Sequence, residues 1–135
     1  MLYYLDTNIC ITCIRKSIKT ENIVRRFIEY GYFNIKLSTI VIAELMHGAY
    51  KSKRTEETLS DTEEFIAGFE IIPFDYDAAV AYGKIKASLE RKGQVIGPND
   101  MLIAAVALSR NAVLVTNNTR EFSRIDGLKL EDWTL

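Results

Sequence analysis

Four places in this chain carry side chains that could do chemistry together. Asp6 closes an apolar opening run, residues 1–5, and begins the polar triplet Asp6-Thr7-Asn8. Glu44 interrupts residues 39–46, a segment otherwise apolar all round, where a charge is costly unless paired or bound to a metal. No Lys or Arg lies close to it in sequence. Asp100 falls in the first turn after Pro98, where the helix macrodipole favours an anion. Thr116-Asn117-Asn118 follows directly on the apolar run 112–115. Carboxylates about 4 Å apart repel by roughly 4 kcal/mol per pair at an effective dielectric near 20. A pocket holding several either takes up protons or recruits a hard cation, and oxygen ligands suit Mg²⁺ or Mn²⁺. Such an ion activates water and stabilises charge developing on a phosphoryl group. The plainer alternative for Asp6-Thr7-Asn8 is a helix cap, since all three types satisfy free amides at helix starts.

The elements around these residues decide whether they can meet. Residues 1–5 form a short buried strand, and residues 9–15 a first helix. Residues 21–30 make a second helix, with Ile23, Phe27 and Tyr30 on one face and Gly31 as its stop. Residues 34–37 are a second strand. Ser38 or Thr39 caps the helix that carries Glu44, which is expected to be buried on all sides. A polar stretch, 51–57, leads into an amphipathic helix over 59–69; residues 70–74 are a third strand. Asp75 caps a long helix, 78–91, closed by Lys92-Gly93. Pro98 opens the helix that runs to Ser109. Residues 112–115 read as an interior strand, 116–121 as a polar turn and 128–133 as a last strand. Strands alternating with helices predict an α/β fold with a mainly parallel sheet. In such a sheet, strand carboxyl ends and the helix starts after them share one edge, so Asp6, Asn118 and Asp100 can converge.

Bulk properties narrow the function classes. At 135 residues one domain, 1–135, is expected. No run of about 18 apolar residues exists, and Asp6 falls where a signal peptide would stay apolar, so the chain reads as cytoplasmic with no membrane partner. The pair Cys10 and Cys13 lacks a second ligand pair or a thioredoxin-like setting, and both thiols are expected to face the core. P-loop and Rossmann glycine patterns and nucleophilic Ser-His-Asp or Cys-His sets are absent.

The motifs, taken in order, resemble those of a known family. They are Leu5-Asp6-Thr7-Asn8, Ala43-Glu44-Leu45-Met46-His47-Gly48, Ile96-Gly97-Pro98-Asn99-Asp100-Met101-Leu102-Ile103-Ala104 and Val115-Thr116-Asn117-Asn118-Thr119-Arg120-Glu121-Phe122, ending in Gly127-Leu128 and Glu131-Asp132-Trp133. Together they resemble PIN-domain ribonucleases, specifically VapC-type toxins of bacterial toxin–antitoxin modules. The resemblance covers essentially the whole chain and implies a three-layer fold with a central sheet flanked by helices. It implies a metal-dependent endoribonuclease in which Asp6, Glu44 and Asp100 hold Mg²⁺ or Mn²⁺. Asn118, where many members carry a fourth acid, is then a neutral catalytic ligand, supported by Thr7, Asn8, Thr116 and Asn117. It further implies a homodimer, a VapB-like antitoxin as partner, and RNA as substrate, with tRNA cut in the anticodon region.

RNA would be held by cations that position phosphates. Lys51, Lys53, Arg54, Lys84, Lys86, Arg91, Lys92 and Arg120 are the available set, with Arg120 favoured because it shares a turn with Asn118. Two rivals remain. A haloacid-dehalogenase-type phosphatase needs a second aspartate two residues after the first, and Asn8 stands there. A PIN fold that only binds RNA or protein is the other, and the neutral Asn118 is its best support.

Overall fold

In the computed structural model, which describes residues 1–135, five parallel strands form one sheet. They are β1 (Tyr3–Leu5), β2 (Ile35–Ser38), β3 (Glu70–Ile72), β4 (Val113–Val115) and β5 (Lys129–Glu131), in the order β3-β2-β1-β4-β5. The expected α/β architecture is observed, and every strand pair is parallel. The reason lies in the connections, since parallel neighbours need helical crossovers and this sequence places helices between its strands. These are α1 (Thr7–Ile14), α2 (Thr20–Tyr30), α3 (Thr39–Lys51), α4 (Thr55–Ile66), α5 (Tyr76–Lys92), α6 (Pro98–Ser109) and α7 (Thr119–Phe122). None is long and apolar enough to cross a membrane.

The strand order positions the site. From β1 the chain builds outward through β2 and β3, then returns to the other side of β1 for β4 and β5. That reversal opens a crevice at the carboxyl ends of β1 and β4, where ligands of open α/β sheets bind. Leu5 is in register with Val115, so the residues that follow them, Asp6 and Thr116, emerge side by side. The core beneath is continuous and includes Leu5, Ile9, Leu37, Ile103, Leu114 and Val115, all essentially without exposure. Trp133 seals the far side, with its ring centroid 5.3 Å from Tyr3 and 5.6 Å from Tyr30, and its Nε1 donating to Glu131.

Capping residues act as the sequence indicates. The Ser38 hydroxyl accepts from Val41 N, Asp75 accepts from Ala78 N, and Gly93 closes α5 in a left-handed conformation at φ 66°. Other elements differ. The helix expected over 59–69 begins earlier, at Thr55, and ends at Ile66; Phe69 lies beyond it, edge-on to Phe27. The polar turn expected over 116–121 contains the short helix α7. Cys10 is enclosed but Cys13 is only half-buried. The helix around Glu44 is not buried on all sides. Val41, Leu45 and Ala49 face the core, while Ala43, His47 and Gly48 are exposed. Its second face borders the open crevice at the sheet edge, which leaves its small and polar side chains uncovered.

Candidate active site

The crevice is a cavity of about 580 Å³ lined by residues of α1, α3, α6 and the turn after β4. Asp6, Glu44, Asp100 and Asn118 all line it, as do Thr7 and Asn8. Residues separated by most of the chain therefore meet where the sequence places them. Asp6 is 4% exposed, and its two oxygens are used separately. Oδ1 accepts from the backbone N–H of Thr7 at 2.9 Å, and Oδ2 accepts from the Thr116 hydroxyl at 2.8 Å. Asp6 thus serves as a helix cap and as a wall of the cavity at once. Burial, above all, pushes its carboxyl up from the ordinary range; the two donors oppose that shift and the Glu44 charge adds to it.

Glu44 reaches the same space from α3. The Thr7 hydroxyl donates to its Oε1, and Asn99 Nδ2 donates to Oε2 at 3.2 Å. Neutral donors from α1 and α6 thus hold the carboxylate, and no cation is paired with it. Asp100 stands in the first turn of α6, half-buried. Desolvation, then the charges of Asp6, Glu44 and Glu121, push its carboxyl up to about 6. Thr116 has a second task, since its Oγ1 also accepts from Asn118 N at 2.9 Å and shapes the turn. Thr7 and Thr116 thus each donate a hydroxyl hydrogen bond to an acid, Glu44 and Asp6 respectively. Asn117 and Arg120 are exposed and lie outside the cavity lining.

Glu121 is the acid that sequence reasoning passed over. It accepts from Asn118 Nδ2 at 3.3 Å, and its charge is felt at Asp100. The signal was its spacing, three residues after Asn118, which a short helix turns toward the same side. Asn99 and the cavity-lining His47 were missed as well, because neither carries a pattern until α3 and α6 are packed together.

Four carboxylates in or beside one open cavity, none of them ion-paired with a Lys or Arg, make a site dense in negative charge. All-oxygen donors open to water fit a hard divalent cation. No three of these acids stand close enough together to form a ready-made metal cluster, so an ion would have to draw them in or reach them through water. The cysteines take no part. Burial drives the Cys10 thiol well up and the Cys13 thiol up to about 11, so neither is a ready thiolate.

The PIN-domain family model matches residues 3–128, which includes every acid just described. The chain belongs to the PIN-domain family. Within it, the chain is 44% identical over 131 residues, 97% of each chain, to the tRNA(fMet)-specific endonuclease VapC of Salmonella typhimurium. It is 41% identical to ribonuclease VapC2 of Rickettsia felis, over 98% of each chain. A crystal structure of DNA-bound VapBC from Salmonella typhimurium superposes with a TM-score of 0.91 at 45% identity, covering 98% of this chain and 99% of that one. VapBC2 of Rickettsia felis, bound to a promoter DNA fragment, gives 0.89 at 42% identity. This PIN domain is therefore of the VapC kind, and the resemblance read from its motifs holds over the whole chain.

Proposed function

We propose that this chain is an endoribonuclease toxin of a VapBC-type module, that its substrate is tRNA, and that Asp6, Glu44 and Asp100 bind a divalent metal ion. The observation that carries the reading is the convergence of these three acids on one open cavity, none of them ion-paired with a Lys or Arg. Mg²⁺ or Mn²⁺ bound there would activate water and stabilise the charge that develops on the cleaved phosphate. The chain's own residues set the conditions for this. Thr116 and the Thr7 amide fix the two oxygens of Asp6, and Thr7 and Asn99 fix Glu44, so less ordering remains to be done when the metal arrives. Desolvation and the neighbouring acids raise the Asp100 carboxyl to about 6, so close acids there favour either a proton or a cation. Asn118 contributes a neutral group, and the Glu121 carboxylate beside it restores a fourth negative charge. That placement weakens the reading of a metal-free binding module, whose support was the neutral Asn118. The names of the relatives support tRNA as substrate and a VapB-like antitoxin as partner.

The test is incubation of a total tRNA pool with antitoxin-free protein, with Mg²⁺ or Mn²⁺, with EDTA, and with Asp6→Asn. Discrete fragments that disappear with EDTA and in the variant are the expected result. Intact tRNA in every lane, or equal cleavage by Asp6→Asn, would overturn the reading.

A further inference from the structure

A cavity lined by carboxylates repels the polyanion it is meant to cleave, so something close by must hold the strand. Of the basic residues considered from sequence, Lys51 alone lines the acid cavity. Arg54 and Lys92 are engaged by Glu57 at 3.5 Å and Asp126 at 2.9 Å, and Lys86 lies over the Tyr82 ring. Lys51 is exposed and makes no ion pair. It follows Glu44 by seven residues on α3, about 10 Å along the axis and nearly the same angular position. Helical side chains lean toward the helix N-terminus, which for Lys51 is the direction in which Glu44 lies. His47 and Gly48 occupy the turn between, both exposed and both lining the cavity. A Cβ built on Gly48 meets nothing within 4 Å, so the floor between the acidic and basic ends is open. Lys51 also stands where this cavity joins a second one, of about 710 Å³, between α1, α3 and α4. Arg15 and Lys16 also line that second space, together with Glu44 and Asp61.

We infer that Lys51, with the His47 ring beside it, forms a subsite for an RNA phosphodiester flanking the one that is cleaved. The strand then lies along α3, its reacting phosphate at Glu44 and a neighbouring phosphate at Lys51. This assignment rests on the ribonuclease reading above and adds to it where the strand is held.

Binding is measured apart from cleavage, by fluorescence anisotropy of end-labelled bulk tRNA on the full chain carrying Asp6→Asn. Lys51→Gln, Lys51→Arg and Lys19→Gln are compared in that background across a salt series, with circular dichroism to verify folding. Lys19 is exposed and outside both cavities, so its variant controls for the loss of one charge. Lys51→Gln is expected to weaken binding about five- to tenfold at low salt and to reduce the salt slope by about 0.7–0.9, the loss of one phosphate contact. Lys51→Arg keeps the slope, and Lys19→Gln changes binding less than about twofold. In the otherwise native chain, Lys51→Gln raises KM and leaves kcat within about twofold, the pattern of a group that binds without stabilising the transition state selectively. Unchanged binding by Lys51→Gln, or an equal loss in Lys19→Gln, overturns the subsite while the ribonuclease reading stands. Failure of the unsubstituted chain to bind or cleave tRNA overturns that reading and the subsite with it.

Discussion

Asp100→Asn should make the metal-free protein more stable while removing its function. The Asp100 carboxyl is raised from 3.8 to about 6, first by desolvation and then by Asp6, Glu44 and Glu121. Between those values the folded chain binds more protons than the unfolded one, so stability falls as pH rises through this interval. The folded state is free of this penalty below about pH 4 and carries it in full above about pH 6. Taken at face value the difference is about 3 kcal/mol. The side chain is partly open to water, and screening reduces the expectation to about 1–2 kcal/mol. Asparagine keeps the shape and removes the titrating charge. At about pH 7.5 in EDTA the variant should therefore melt about 3–8 °C higher than the parent. Near pH 4 the two curves should coincide. Mg²⁺ should raise the Tm of the parent and leave that of the variant nearly unchanged, because only the parent binds it tightly. An equal difference at both pH values would show that the ionised Asp100 carboxylate is not its source. A variant less stable at both would refute the reasoning outright.

Three further outcomes are expected. Thr116→Val removes the hydroxyl that serves both Asp6 Oδ2 and Asn118 N; it should cost about 1–3 kcal/mol in urea unfolding, with Thr116→Ser restoring most of it. Asn99→Ala frees one oxygen of Glu44 on an exposed residue, so Mn²⁺ affinity by calorimetry should fall about tenfold while stability moves by less than about 0.5 kcal/mol. Alkylating Cys13 with iodoacetamide should be slow at neutral pH, and Cys13→Ala should leave tRNA cleavage unchanged, because burial keeps the thiol protonated to about pH 11.

Much of this site was legible before folding because it follows from strand ends. The apolar runs that end at Asp6 and Thr116 become adjacent strands, and their pairing alone brings those two residues together. Pro98 marks the start of α6 and so locates Asp100 within its first turn. Glu44 stood out as a charge in an apolar helix, although the physical reason differs from the expectation. The helix has an open face, and neutral donors from other elements hold the carboxylate there. What sequence could not supply was tertiary. Glu121 lay within a stretch read as a turn, so its helical spacing from Asn118 carried no weight. Asn99 acquires a role only when α6 packs near α3. Arg120 was favoured for sharing a turn with Asn118, but nearness in sequence did not bring it into the cavity, whereas two turns of α3 carried Lys51 from Glu44 to its rim.

The most direct test is titration of the protein with Mn²⁺ by calorimetry at about pH 7.5, beside Asp6→Asn and Asp100→Asn. If the gathered carboxylates form a metal site, the parent binds Mn²⁺, and each variant loses at least about tenfold in affinity with its secondary structure intact. Equal affinity in all three proteins, or no binding by the parent, would contradict it.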